Sequence, residues 1–363
     1  MMTLPKQIIL LLSLFGTTIK MARRLAACLL NVSEGRNQKV VRDIAEAAVR
    51  NQADWVPDAT LIRDSDSNNL GHDLHAVDSD NSRFKCKATV LNIFLDVEYN
   101  RSVITLAAPV EFLGNCIFQA CKQAFKAIDL TRHEGGHPRL GAVDLIPIHP
   151  LSKTVSLEDC GCVARKLGKR IVEDIPNTSI FYFGEADLPE KRGLVKRRKE
   201  MDWYLGGNAV TEQLKISWDV GNNPNRQCGI TGIGAIPYMT NFNITIDTTN
   251  LKIGNLIAKA IRGSSPGGLF GVQSMAFSHE SKIEIACNVD SLDLQKVDSY
   301  TGPKYASFDE IETRIKGLCD EFRIKVFGSV VIGFTPEEAY ERTLQNLSDG
   351  RSLDIENFDN KRM

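Results

Sequence analysis

The densest set of chemically able side chains runs from Arg132 to Asp144, RHEGGHPRLGAVD, with two histidines, two arginines, a glutamate and three glycines. Imidazole titrates near neutral pH, where one group can both take and return a proton. Pro138 fixes the backbone just after His137, and the glycines let a ligand approach closely. His133 and His137 have a spacing that could put two zinc ligands on one helix face. Gly135, Gly136 and Pro138 argue against a helix, and the H-E-x-x-x-H order misses the zinc-protease spacing, so no metal is expected. Residue types alone leave acid–base catalysis and a structural loop both open.

Other stretches carry weaker signals. Asp96, Glu98 and Arg101 crowd one strand end (DVEYNR), as a catalytic partner set or as an ordinary charged hairpin. Gly229 to Gly234 (GITGIG) has the glycines of a phosphate loop but lacks its Gly-Lys-Ser/Thr ending, and a strand is expected to follow it. Lys191 to Lys199 holds six basic residues. That run reads as a solvated helix face or as an attractor for a polyanionic tail. His72 and His75 lie among several aspartates, which reads as a solvated loop or a metal site.

These residues need elements to hold them. Leu25 to Val32 is a continuous apolar run of strand length, and Val40, Ile44, Ala47 and Ala48 recur at helical spacing. Residues 51–87 contain seven aspartates and little periodicity, and read as a polar insertion. Ala88 to Leu95 and Ser102 to Ala107 predict two strands paired as a hairpin. Val110 to Ile128 predicts an amphipathic helix, and Ala142 to Ile148 a strand. Ser156 to Glu173 predicts a helix with Ser156 and Asp159 as its capping box. A short strand is expected at 180–183 and a helix at 189–200. Asp219 to Gly234 is rich in glycine and asparagine and reads as a loop or linker. A second series follows: a strand at 240–246, a helix at 251–262, strands at 269–277 and 282–289 joined by a turn at 278–281, a helix at 308–322, a strand at 324–332 and a helix at 336–345. The tail from Ser348 reads as frayed. Both halves begin βαββαβ, the ferredoxin-like order. The expected fold class is therefore α/β (α+β), two ferredoxin-like subdomains with a ligand groove between them.

Composition bounds what such a chain does. Its 363 residues suit two domains. The 44 basic and 45 acidic residues give a net charge of −1, which excludes a nucleic-acid protein driven by a basic surface. The nine cysteines are odd in number, irregularly spaced and without a CxxC pair, which points to a reducing, cytoplasmic setting with neither disulfides nor zinc. The apolar run Ile8 to Phe15 is too short to span a membrane, so no membrane partner is expected. No good cleavage site follows it, and Met21 offers a second start, so residues 1–20 read as an extension outside the fold.

The motifs Asn31-Val32-Ser33-Glu34-Gly35, Asp96-Val97-Glu98, Asn100-Arg101-Ser102-Val103, His133 to Asp144, Tyr182 to Ala186 and Val326 to Gly333 stand in one order along the chain. In that order the chain resembles the formiminotransferase domain, the N-terminal half of formiminotransferase-cyclodeaminase, and most of all the stand-alone proteins built on its N-terminal subdomain. The resemblance runs from about Met21 to Leu347 and omits the cyclodeaminase part. It implies an N-terminal subdomain at 21–234 interrupted by the 51–87 insertion, a C-terminal subdomain at 235–347, and a polar tail at 348–363. It also implies a homodimer, a folate tunnel between the subdomains, and transfer of a formimino group from N-formiminoglutamate to N5 of tetrahydrofolate, in one-carbon metabolism and histidine catabolism. Tetrahydrofolate would be a co-substrate, and the donor a small amino-acid derivative.

The family's catalytic histidine falls on His137. N5 must attack the amidine carbon, a base must take the N5 proton, and an acid must protonate the departing glutamate nitrogen. One histidine near neutral pH can do both. Asp96 or Glu98 is the expected partner for orienting His137 or the pterin. Arg101 and Arg139 are expected to bind substrate carboxylates in bidentate fashion, with Asp144 in the same motif. Gly221, Gly229, Thr231 and Gly232 fall in the folate-contacting loop. Gly136 stands where the bifunctional enzyme carries an acid, and Glu98 replaces an Asp. These departures leave an alternative, a folate-binding or interaction protein of the same fold without formiminoglutamate turnover.

Overall fold

A computed structural model describes residues 24–62, 84–201, 217–291 and 305–353. Two sheets organise them. The first opens with β1 (Leu25–Val32), α1 (Gln38–Ala48), β2 (Thr89–Asp96), β3 (Arg101–Pro109), α2 (Val110–Ala127) and β4 (Val143–Pro150). It continues with α3 (Leu157–Asp174), β5 (Ser179–Gly184), α4 (Leu194–Glu200), β6 (Val220–Gly221) and β7 (Thr231–Ala235). The second consists of β8 (Met239–Ile246), α5 (Leu251–Ile261), β9 (Val272–His279), β10 (Lys282–Asp290), α6 (Phe308–Glu321) and β11 (Val326–Ile332). A last helix, α7 (Pro336–Asp349), closes the described chain.

The strand orders are β2-β3-β1-β4-β7-β5-β6 and β11-β8-β10-β9. The first four strands of each series therefore take the same ferredoxin-like arrangement, as expected. In the first sheet β7 and β5 extend it in parallel beyond β4. Period-two alternation assigns the faces. On β1, Ala26, Cys28, Leu30 and Val32 join the core under α1, α2 and α3. On β8 and β10, Phe242, Ile244, Ile283, Ile285 and Cys287 join a second core under α5 and α6. The opposite faces of the two sheets meet across a cavity lined from both. Part of the first sheet's second face is covered by α7, whose Ala339 and Leu347 pack with Leu25, Leu29 and Leu91.

Several expectations need correcting. The glycine-rich end of 219–234 is no loop: Thr231–Ala235 is a buried strand between β4 and β5. Its glycines make room for aromatic rings. A Cβ on Gly232 would lie 2.5 Å from Phe181 Cζ, and one on Gly234 2.3 Å from Phe183 Cδ2. Turn-type composition here records side-chain crowding, not a turn. The described ends of 51–87 are packed: Trp55 and Leu61 enter the core, and Gln52 Oε1 accepts from the Lys87 and Ala88 amides. The histidines His72 and His75 lie outside the described residues, as do residues 1–20. The helix expected at 189–200 begins at Leu194. The second hairpin turns at Glu280 and Ser281, both with positive φ, so His279 closes β9 instead of sitting in the turn. The tail is not frayed at its start: α7 runs to Asp349, Gly350 caps it at φ +80°, and Leu353 bridges Val90.

The Ser156 cap is as expected, with Ser156 Oγ accepting from the Asp159 amide and Asp159 accepting from the Ser156 amide. All nine cysteines are free thiols. Among the described residues no helix is long and apolar enough to cross a membrane, and no three His, Cys, Asp or Glu side chains gather where a metal ion could be held.

Candidate functional site

Three of the motifs singled out above converge at one corner of the first sheet. Asn100, at the β2–β3 turn with φ +49°, joins them: its Oδ1 accepts from the Gly35 amide at 2.9 Å and its Nδ2 donates to the Glu134 carbonyl at 3.0 Å. Asparagine is among the few residues that tolerate this backbone region. The contacts are close enough to exclude side chains. A Cβ on Gly35 would lie 2.2 Å from the Asp96 carbonyl oxygen, and one on Gly135 2.2 Å from that of Tyr99.

His133 is buried, and its Nε2 donates to the Asn100 carbonyl at 2.7 Å, so it secures the loop. Arg139, expected to bind a substrate carboxylate, is also buried. Its guanidinium donates to the carbonyls of His133, His137 and Gly135 at 3.0, 3.1 and 3.3 Å and so ties the loop to itself. Asp144, 1% exposed, accepts from the Leu140 amide at 2.8 Å and pairs with Arg101 at 2.9 Å. Arg101 in turn donates to Asn31 Oδ1 at 2.7 Å. Arg101 thus lines the cavity and is tied to the buried Asp144, while Arg139 is bonded within the loop.

His137 is half-buried, with its ring on the cavity. Its Nδ1 lies 2.7 Å from the Pro138 carbonyl and 3.0 Å from Arg101 Nη1. A carbonyl only accepts and a guanidinium only donates, so one neutral nitrogen cannot serve both. The shorter contact assigns Nδ1–H to Pro138 and the lone pair to Nε2. Burial holds the imidazole well below the usual histidine range, and the guanidiniums of Arg101, Arg198 and Arg139 push the same way. His137 is therefore a neutral imidazole at neutral pH. At Nδ1 the hydrogen bond goes to the Pro138 carbonyl, not to the Asp96 or Glu98 expected to orient the ring. Both acids are engaged with the second sheet: Asp96 pairs with His279 at 2.9 Å, and Glu98 accepts from the Glu280 amide at 2.6 Å. The bond to Asp96 raises the His279 pKa to about 9.

Tyr99 is the hinge of this contact. Its ring lies 5.3 Å from that of His137, edge-on, and 4.7 Å from that of His279, and its hydroxyl donates to Glu284 Oε1 at 2.9 Å. Phe277 closes the far side of His137, 5.1 Å between ring centres. Across the cavity Asn241 and Asn288 are directly paired in the β8–β10 register. Arg198 reaches the cavity from α4 and stands 3.7 Å from Asp144. Its neighbour Arg197 is buried against Phe181 and bonded to Asp219 at 2.8 Å, so the basic run is not one solvated face.

Gly221, Gly229, Thr231 and Gly232 do not gather at this cavity. Gly221 lies on the edge strand β6 against the Thr178 carbonyl. Gly229, at φ +68°, packs on the Leu140 carbonyl. Thr231 is buried and donates to the Val143 carbonyl at 2.7 Å, and Gly232 lies under Phe181. Of the four, only Gly229 packs on the end of the His137 loop, at Leu140 and Gly141. The residues the motifs did not reveal are Tyr99, Arg198, Asn241, Asn243, Phe277, His279, Glu284 and Asn288. The signal for the second-sheet set was present: Asn241 and Asn243 on β8, and Glu284 and Asn288 with Ala286 between them on β10, alternate with core residues. Polar residues in alternation mark a wetted face, and here that face is the cavity.

The chain matches the family model described as "Formiminotransferase domain, N-terminal subdomain" over residues 25–236. It is 29% identical to a protein of Thermoplasma acidophilum named glutamate formimidoyltransferase, over 73% of this chain and 86% of that one. It is 27% identical to a Streptococcus pyogenes protein of the same name, over 87% and 90% respectively. An Arabidopsis thaliana formiminotransferase cyclodeaminase-like protein is 30% identical, over 72% of this chain and 88% of that protein.

Proposed function

The chain belongs to the formiminotransferase family, and we propose that it is a transferase moving the formimino group of N-formiminoglutamate to N5 of tetrahydrofolate. The observation that carries this reading is the place of His137: its ring lines the cavity between the two sheets, and its Nδ1 lies 2.7 Å from the Pro138 carbonyl, an arrangement that makes Nε2 the base. Tetrahydrofolate supplies the nucleophilic N5–H. His137 takes that proton as the C–N5 bond forms and returns it to the glutamate nitrogen as the old C–N bond breaks, ending neutral again. The Pro138 carbonyl holds the ring for both transfers.

The cavity wall supports the two substrates. Arg101 and Arg198 present guanidiniums to the donor's carboxylates. Asn31, Asn241 and Asn288 offer carboxamides, which both donate and accept, to a pterin edge. Much of the acceleration would come from holding N5 against the amidine carbon. The reading extends to a cytoplasmic homodimer serving histidine breakdown, built of subdomains 21–234 and 235–347, with no metal, membrane or nucleic-acid partner.

The test pairs binding with turnover. Tetrahydrofolate binding is followed by calorimetry, and 5-formimino-tetrahydrofolate formation by absorbance, for the parent chain and His137→Ala. Turnover should fall by about 100-fold or more in the variant while binding persists. Binding without turnover in the parent chain would overturn the assignment and leave a folate-binding protein.

A further inference from the structure

The proposed reaction leaves one buried group of the cavity without a task. Glu284, on β10, is 6% exposed and shares the cavity with His137. The Tyr99 hydroxyl and the Asn243 side chain both donate to it. Burying a carboxylate is costly, and two neutral donors only partly offset the cost.

The cavity takes guanidiniums from the first sheet's side, Arg101 and Arg198, and a buried carboxylate from the second, Glu284. Toward the first sheet, Arg101 and Arg198 flank the single carboxylate of Asp144. Asp96, on β2 opposite Arg101, reaches over to pair with His279 of β9, which leaves Glu284 as the carboxylate that the second sheet gives to the cavity. The complementary ligand carries negative charge at one end and positive charge at the other. An amidine is protonated at neutral pH, planar, and rich in N–H donors, so it pairs with a carboxylate in two parallel hydrogen bonds. A formyl group is neutral and offers an oxygen in the same place.

Resting on the donor assigned above, we infer that Glu284 binds the protonated amidine of the donor and selects a formimino group over a formyl group. The carboxylate keeps the amidine charged, and so electrophilic at carbon. As N5 attacks, the C=N π pair moves onto the terminal nitrogen held by Glu284, and the positive charge passes to N5. His137 then takes the N5 proton. When His137 protonates the glutamate nitrogen and that C–N bond breaks, the terminal nitrogen's lone pair restores C=N, and the amidinium reforms on N5. Glu284 gains and loses no proton.

The test is Glu284→Gln in the full chain, with KM and kcat for N-formiminoglutamate at saturating tetrahydrofolate, and Ki for N-formylglutamate as competitor. The KM should rise about 30-fold, the loss of one charge-assisted pair. The Ki should move by less than about twofold, and tetrahydrofolate affinity should hold. Glu284→Asp keeps the charge and should keep the preference for the amidine. Equal weakening of both ligands in Glu284→Gln, or loss of the preference in Glu284→Asp, would make Glu284 a structural strut and overturn the inference. Turnover in the parent chain with an unchanged KM in Glu284→Gln would remove this inference alone. A parent chain that binds tetrahydrofolate but not N-formiminoglutamate would remove the donor assignment and this inference with it.

Discussion

At His137 the protonation state is set by what surrounds the ring. Burial and three guanidiniums disfavour the imidazolium, so the native chain binds this proton less readily than the unfolded chain does. Acidification through about pH 6.5 therefore leaves the native imidazole neutral and able to serve as the proposed base. The acid limb of kcat/KM should therefore lie below the ordinary histidine range. Arg198→Met removes one of the cations and should move that limb upward by a few tenths of a unit or more. A pH–rate profile of both proteins checks this, and a parent limb at or above pH 6.5 would contradict it. Arg139 shows why residue type is an ambiguous guide. An arginine beside a catalytic histidine suits a carboxylate, yet its donors are spent on three loop carbonyls.

Among the elements, β7 carries the clearest lesson. Its five residues, TGIGA, have the composition of a turn and the position of a central strand. Phe181 and Phe183 on β5 occupy the space that side chains at Gly232 and Gly234 would need. Gly234→Ala should cost about 1–3 kcal/mol, because the Phe183 ring is packed on all sides and has nowhere to move. Urea unfolding would show this as a lower midpoint with the slope retained. A midpoint unchanged within error would mean the ring adapts. Because β7 also leads back to Gly229 and the Leu140 carbonyl, such a variant should disturb the His137 loop as well.

For the molecule as a whole, the question is what holds the two sheets face to face. Beside ring contacts such as Phe277 on His137, polar contacts sit at the site: Asp96 to His279, Tyr99 to Glu284, and Glu98 to the Glu280 amide. His279 is raised to about 9, above its unfolded value near 6.5. Its contribution to stability is therefore complete below about pH 6.5 and is lost as pH rises through about 9. Partial exposure discounts it to about 1–2 kcal/mol. Thermal melts between pH 6 and 10 should show this loss in the parent chain and a flatter profile in His279→Ala. Equal profiles would mean that the apolar contacts, including α7 against the first sheet, hold the halves unaided.

Outside 219–235, where β6 and β7 read as a loop, the series of elements was legible in the sequence, and so was the segment that carries His137. Both are local properties: apolar periodicity sets each strand and helix, and the motif is contiguous in the chain. Its order of strands and helices also fixed the ferredoxin-like topology, because strand order in each half follows from short, right-handed connections. The tertiary structure decided which of those residues face one another. Asp96 meets His279 and Tyr99 meets Glu284 across more than 180 residues of chain, and no local spacing encodes such a pair. The alternating asparagines of β8 and β10 said only that one face is polar; apposition of the two sheets made that face a cavity. Glycine has two opposite uses, freedom in a turn and absence of bulk in a core. Only the neighbouring rings show which one Gly232 and Gly234 serve.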